Sequence, residues 1–361
     1  MGGKSLAEEL EQIIRNKAGL FAYCSPGTYI PRLFLFAPDE IQTCSSWASI
    51  PHDRGFLIAP FALSTSTPII FLPLEDKDDL AEDYAWPRVC EAIESRPLSS
   101  EPTEGYCRAF DAFSGALASG DFEKLVLARQ KRSIEEGAID PIATFISAIR
   151  LYPDAYTYML YTPTTGLWLG STPELLISGE RNSWQTMALA GTLPASAIDG
   201  DEGWSGKNIR EQALVTSYVC DRLSSLGIYA HRGRPYTIGA GQLVHLRTDI
   251  SFSTEGHSSI GELVECLHPT PAVCGLPKEE AMQFILDHEP EGRSYYSGCL
   301  GIIDPEGTTA LYVNLRCLRI EDGVARLYAG GGLLPSSTLQ DEWLETERKM
   351  QTMGAALRQQ I

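Results

Sequence analysis

The stretch YAGGGLLPSSTLQDEWLETERKM, Tyr328 to Met350, sets three consecutive glycines before a segment that carries Glu342, Glu345 and Lys349. Residues three and four apart on a helix are neighbours, so these side chains fall close together. Carboxylates from this helix and from a second one would suit Mg2+, which takes a few hard oxygen ligands and keeps water or substrate oxygens for the rest. Glycines at 330 to 332 let a backbone approach a ligand and turn N–H groups toward a carboxylate. The bland alternative stays open: Glu345 and Lys349 make an ordinary i, i+4 ion pair, and glycines can simply end a strand.

Five other positions could do chemistry. Lys124 lies in DFEKLVLARQ, where a strand puts it on one face with Val126 and Ala128. There it is either a charge that protects a sheet edge or a buried amine, and buried amines can serve as bases. Glu174 follows Pro173 in GSTPELLIS and, on a strand, would share a face with Leu176. It is either a wet turn residue or a carboxylic acid held protonated by its apolar surroundings. Glu211, in WSGKNIREQALVTSYV, lines up with Leu214, Val215 and Tyr218 beside a buried helical stripe, with Lys207 one turn before it as a possible ion-pair partner. Arg316, in YVNLRCLRI, reads as a strand arginine whose planar fork fits a carboxylate. His268 precedes a Pro-Thr-Pro turn in CLHPTPAVCGLPKEEA; a lone histidine is either a hydrogen-bonded structural group or a ligand, and the six histidines show no metal spacing. Dinucleotide, P-loop and nucleophile-elbow signatures are absent.

Helical period and capping residues predict helices over Leu6–Lys17, Asp78–Ser95, Thr103–Ser119, Pro141–Leu151, Lys207–Leu226, Lys278–Asp287 and Leu339–Gln359. Between them lie β-type runs such as PRLFLFAP, GFLIAPFA, PIIFLPL, KLVLARQ, YTYMLYTP, GLWLGST, ELLISG, SWQTMALAG, ALYVNLRCLRI and VARLYAGG. Tight turns, Asp322-Gly323 among them, join several of these into hairpins. The pattern implies an α+β fold with large antiparallel sheets rather than a doubly wound parallel one. SRPLSSEPTEG, residues 95–105, reads as a surface loop within one domain, because strand-type runs flank it.

The 361 residues are 43% hydrophobic and 21% charged, as expected of a globular chain able to bury a large core. A formal net charge of −18 argues against a nucleic-acid surface, but a local pocket can still be basic. Nine scattered cysteines without a CxxC pair point to reduced thiols in the cytoplasm. The polar amphipathic start, the absence of a myristoylation pattern and the absence of a membrane-length apolar run lead to the same expectation of a cytoplasmic chain without a membrane partner.

The wording and order of the segments add a resemblance. FEKLVLAR, GSTPELLIS, ALAGT, SGKNIREQALV, LHPTPAVCGLPKEEA, LYVNLRCLRI, YAGGGLLPSS and EWLETERKM together resemble the chorismate-utilising enzymes, most closely the isochorismate synthases, over roughly residues 103–358. Residues 1–100 match only loosely. The resemblance implies one domain over 1–361, a sandwich of two large antiparallel sheets with helices outside. It implies Mg2+-dependent conversion of chorismate to isochorismate, with water added at ring carbon 2 and hydroxyl lost from carbon 4. By the same resemblance Lys124 would activate water and Glu174 would protonate the leaving hydroxyl. Glu211 and Glu345 would bind Mg2+, with Glu342 beside it or acting through water. Arg316 and Lys349 would grip carboxylates, helped by backbone N–H groups near Gly330 and Gly331. Gly191 and Thr192 would line the pocket, and His268 would contribute to it. HPTPAVCGLPK differs from the motif of the ammonia-using anthranilate and aminodeoxychorismate synthases, so no glutaminase subunit is expected. A salicylate synthase or a non-catalytic chorismate-binding relative are the alternatives. A monomer or weak homodimer is expected. Menaquinone synthesis is favoured over a siderophore pathway, because no carrier or lyase domain is attached.

Overall fold

The computed structural model describes residues 6–75, 79–84, 86–87, 98–133, 138–197, 203–240, 243–254 and 259–358. Eighteen strands in these residues form two sheets. Their pairings are antiparallel throughout. The first sheet holds β1 (Gly19–Cys24), β2 (Arg32–Phe36), β6 (Lys124–Arg132), β7 (Tyr156–Thr162), β8 (Gly166–Thr172), β14 (Gly275–Leu276), β17 (Cys317–Glu321) and β18 (Val324–Leu333). Its strand order is β14-β6-β18-β17-β8-β7-β1-β2. The second holds β3 (Gln42–Cys44), β4 (Gly55–Ala59), β5 (Ile69–Pro73), β9 (Leu175–Glu180), β10 (Ser183–Pro194), β11 (Ala230–Arg232), β12 (Tyr236–Ala240), β13 (Leu243–Ser253), β15 (Cys299–Ile303) and β16 (Thr309–Val313). Its order is β11-β13-β10-β9-β16-β15-β4-β5-β3, with β12 on β13. The loosely matching first part of the chain therefore supplies strands to both sheets.

An aromatic core lies between the sheets. Phe21, Phe34, Tyr158, Trp168 and Tyr328 of the first sheet meet Phe56 of the second and Tyr295 and Tyr296 of the segment before β15. Phe21 stacks on Phe56 with ring centroids 3.7 Å apart. Seven helices cover the outside: α1 (Leu6–Arg15), α2 (Glu104–Ser119), α3 (Pro141–Leu151), α4 (Gly206–Ser225), α5 (Ile260–Leu267), α6 (Lys278–His288) and α7 (Leu339–Ala356). Local chemistry sets their ends. Asp140 accepts hydrogen bonds from the N–H groups of Ile142 and Ala143 to start α3 with Pro141 in its first turn, and α2 closes on Gly120 at φ 85°. None of the helices is long and apolar enough to cross a membrane among the described residues.

Three expectations change. ALYVNLRCLRI is two strands, not one: β16 belongs to the second sheet and β17 to the first, and the chain crosses between them at Asn314–Arg316. Of the helix expected over Asp78–Ser95, residues 81–84 form a turn and an isolated bridge, and 88–97 lie outside the described residues. Helix α5 was not expected, although Ser259 and Glu262 form a capping box at its start. That box was the available signal; with only 8 residues, α5 offers too few turns for a periodic pattern.

Helix α7 is clamped to β6 by a buried ion cluster. Glu347, 2% exposed, receives Arg129 Nη2 at 2.5 Å and Lys131 Nζ at 2.7 Å, and the Arg129 guanidinium lies 3.6 Å from the centre of the Trp343 ring. Replacing Glu347 by Ala would leave Arg129 buried without its anion. The expected loss is about 3–5 kcal/mol of unfolding free energy, read as a lower urea midpoint at unchanged m value. A loss below about 1 kcal/mol would show that the clamp does not hold the helix.

Candidate active site

Two chain crossings build one wall of the site. Between β8 and β9 the chain passes from the first sheet to the second through Pro173 and Glu174, and between β16 and β17 it passes back through Asn314–Arg316. The crossings are laced together. Val313 N–H donates to Glu174 O at 2.9 Å, Ser171 N–H to Arg316 O at 3.0 Å, and Thr172 Oγ1 to Val313 O at 2.6 Å. Arg316 adopts φ 46°, a conformation costly for a residue with a side chain and tolerable here because the lacing holds it. A pocket opens against this wall, lined by Glu174, Gly191, Glu211, His245, Arg316, Gly330, Gly332, Glu345 and Lys349. A second cavity of about 350 Å3 shares Pro173 and Arg316 with it.

The opposite wall comes from β6 and β18, paired in the register Gly332 to Val126 and Gly330 to Ala128. Lys124 opens β6, pairs with Leu276 of β14 and has no solvent exposure. That removes the edge-protecting reading, since a charge that blocks aggregation must be wet. Its Nζ lies 2.9 Å from Oε1 of Glu211, an ion pair by distance, but the approach lacks hydrogen-bond geometry. The amine's N–H groups therefore remain available to another partner. A Cβ at Gly332 would collide with Glu211 Oε1 and lie 2.8 Å from Lys124 Cε, so a side chain here would displace the Lys124–Glu211 pair.

The protonation pattern follows from burial. Glu174 is 5% exposed, and burial pushes its carboxyl up to about 7 even though Lys124, Lys349 and Arg316 pull it down. Burial and the charges of Arg316 and Lys349 push His245 down to about 3, so its imidazole is neutral. His245 Nδ1 faces Gly191 O at 3.0 Å and can only donate there; Nε2, 3.2 Å from Arg316 Nη2, accepts. Arg316 Nη1 is buried without a hydrogen-bond partner, a standing demand for an anion.

Two carboxylates, Glu342 and Glu345, lie beside Gly331, while Glu211 lies beside Gly332. Glu342 is 1% exposed, with Oε1 held by Lys207 Nζ at 2.7 Å and Oε2 buried without a partner. A Cβ at Gly331 would lie 2.8 Å from that orphan oxygen and 3.8 Å from Glu345 Oε1. Glu345 pairs with Lys349 at 2.6 Å. Burial opposes its ionisation, but Lys349, Lys207 and Arg316 together hold it below the ordinary carboxylate range. Glu342 is pushed up to about 7 by burial and by the charge of Glu345. Among the described residues no three acidic or imidazole side chains already converge at metal-binding distance. The donor set nevertheless fits a hard divalent cation: oxygen ligands only, one of them orphaned, beside glycines that leave room.

Of the expected residues, Glu174, Gly191, Glu211, Arg316, Gly330, Glu345 and Lys349 line the pocket; Lys124 meets Glu211, and Glu342 lies beside Gly331, without lining it. Three readings are corrected. His268 does not line the pocket; its Nε2 lies 3.1 Å from Pro60 O and 3.3 Å from Phe61 O, and its ring packs on Trp47. The histidine in the site is His245, in GQLVHLRTD, which carries no flanking motif that spacing could reveal. Lys207 pairs with Glu342, not Glu211, because α4 turns its first residues toward α7. Glu174 precedes its strand rather than sharing a face within it. Thr192 lies in β10 opposite His245, just past a bulge at Gly191 with φ 75°; its side chain lies outside the described residues.

Residues 75–358 match the family of chorismate binding enzymes. The chain is 31% identical over 244 residues to isochorismate synthase EntC of Escherichia coli, covering 65% of this chain and 62% of that protein. It is 29% identical to the vibriobactin-specific isochorismate synthase of Vibrio cholerae, over 72% of this chain and 68% of that one. The aligned part thus spans about three fifths of EntC's length. Its fold superposes on that of MenF, the menaquinone-specific isochorismate synthase of Escherichia coli, with a TM-score of 0.76 at 22% identity, covering 97% of this chain and 91% of the other.

Folded Glu174 keeps its proton up to about pH 7, whereas the unfolded carboxyl loses it near 4.5. The native state therefore binds more protons in that window. This contribution to stability is full below the lower value and is lost as pH rises through the upper one. Glu174→Gln should flatten the fall in unfolding free energy between about pH 5 and about pH 7.5 by roughly 1–3 kcal/mol, measured by urea denaturation at both values. A slope equal to that of the wild type would mean that Glu174 is already ionised.

Proposed function

The chain belongs to the family of chorismate binding enzymes, and from that premise we propose that it is an isochorismate synthase acting on chorismate. The observation that carries this reading is a buried amine, paired with the pocket-lining Glu211, and a buried protonated acid that lines the same pocket. Lys124 comes from the first sheet, and Glu174 from the crossing that leads into the second. Exchanging a hydroxyl across a ring needs a group that takes a proton and another that gives one, at different ring positions.

Lys124 accepts a proton from the water that adds at ring carbon 2. Glu174 delivers its proton to the hydroxyl that leaves carbon 4 as water, and the ring double bonds shift between the two positions. One water enters and one leaves, with no change in oxidation state. Arg316, with its free Nη1, and Lys349 hold carboxylates, and the N–H groups of the 330–332 strand add to that grip. His245 accepts from Arg316 and so fixes the guanidinium's direction. Glu211, Glu345 and Glu342 would hold Mg2+. The ion would neutralise the ring carboxylate and favour the negative charge that builds during the exchange. Water rather than ammonia enters, so no glutaminase partner belongs to this reading.

Incubating the protein with chorismate and Mg2+, with and without EDTA, and separating the products tests it. Isochorismate appearing only with Mg2+ is expected. Salicylate with pyruvate would move the protein to the salicylate branch, and no turnover would leave a binding protein. Lys124→Ala should cost roughly 100- to 10,000-fold in kcat while Mn2+ binding is kept; near-normal turnover would remove Lys124 as base. Glu211→Gln should raise the Mg2+ concentration needed for half-maximal rate at least tenfold, by loss of one charged ligand at roughly 1.4 kcal/mol or more. An unchanged requirement would take Glu211 out of the site.

A further inference from the structure

The three carboxylates of the cation site each face one ammonium: Glu211 faces Lys124 at 2.9 Å, Glu345 faces Lys349 at 2.6 Å, and Glu342 faces Lys207 at 2.7 Å. Each carboxylate is thus already met by a lysine without a metal. A dication adds two charges to this cluster unless an ammonium gives way. The three lysines are not equivalent in this respect. Lys124 has no solvent exposure. Lys349 is 17% exposed and is tethered a second time, donating to Gly330 O at 2.9 Å. Lys207 is 30% exposed, and its ammonium makes one hydrogen bond, to Glu342 Oε1.

A second observation singles out Lys207. It stands in the first turn of α4, a 20-residue helix that has no acidic residue in that turn. A cation there faces the positive end of the helix dipole and is disfavoured by it. What offsets this is the field of Glu342, Glu345 and Glu211, which together favour its charged form. Remove those charges by placing a metal among them, and the position becomes unfavourable twice over. The partner left behind, Glu342, has its other oxygen buried and unsatisfied.

We propose that Lys207 is the exchangeable counter-ion of the cation site: it holds Glu342 in the metal-free protein and swings to solvent when a divalent cation takes its place. Lys207 is thus a positioning residue that sets how weakly the metal is held, and it touches no reacting atom. The proposal rests on the assignment of Glu211, Glu345 and Glu342 to the cation.

Mn2+ titration of the full chain, with the free ion followed by electron paramagnetic resonance, tests it. Lys207→Met removes the competing charge and should tighten Mn2+ binding roughly five- to tenfold. Lys207→Arg, which keeps the charge, should stay within about twofold of the wild type. Metal-free Lys207→Met should also melt lower than the wild type and gain more on adding Mn2+. Unchanged or weaker binding by Lys207→Met would overturn the exchange, the weaker result meaning that Lys207 supports the site. Wild-type protein that binds no Mn2+, or a Glu345→Gln variant that binds as well as wild type, would overturn the cation assignment itself together with this inference.

Discussion

A lysine side chain with no solvent exposure is the constraint from which the site follows. Moving an ammonium out of water costs several kcal/mol unless an anion meets it. Glu211 meets Lys124, and it comes from α4, which packs on β10 of the other sheet. One ion pair therefore ties the opening residue of β6 to a helix on the far layer. It also dictates the neighbouring strand. The pair occupies the space where a side chain of residue 332 would be, so the glycine there leaves the pair in place. The same glycine run then leaves room for Glu342 and Glu345 when the chain returns as α7. The Glu347 clamp to Arg129 and Lys131 keeps that helix in register on β6.

The second feature is the local charge balance within an acidic chain. A net charge of −18 says nothing of the pocket, where Lys124, Lys207, Lys349 and Arg316 stand among four glutamates. Burial decides which of those glutamates carry charge. Glu345 sees Lys349, Lys207 and Arg316 and stays ionised, whereas Glu174 is desolvated enough to keep its proton against three cations. His245 is kept neutral by burial and by the charges of Arg316 and Lys349, which lets it accept from Arg316 instead of repelling it. The result is a pocket biased toward carboxylates, with one buried acid that keeps its proton among cations.

Much of this was legible in the sequence. The caps of α2 and α3, the hairpin turns and the apolar runs dictated antiparallel sheets with helices outside, because hydrogen-bonding and periodicity are local properties. The glycine run and the acidic face of α7 were legible for the same reason: residues 330 to 349 sit on two consecutive elements. The ordered motifs also supplied the family.

Tertiary structure decided the rest. Whether Lys124 was wet or buried depended on segments far off in the chain: β14 pairs with it at Leu276, and α4 brings Glu211 to its side chain. The sequence offered Lys207 a partner one helical turn away at Glu211; packing assigned it Glu342, 135 residues distant. His268 stood in a recognisable motif and turned out to serve backbone carbonyls, while His245, in no motif, reached Arg316. ALYVNLRCLRI shows the reason most directly. Its apolar pattern is continuous, yet the chain leaves one sheet and enters the other at Arg316. Sequence determined which segments would be strands and which residues could hold or move a proton, because those are properties of residues and their neighbours. Only the packing of two sheets determined which of those residues face the same cavity and in which protonation state, because burial and long-range charge arise from segments far apart in the chain.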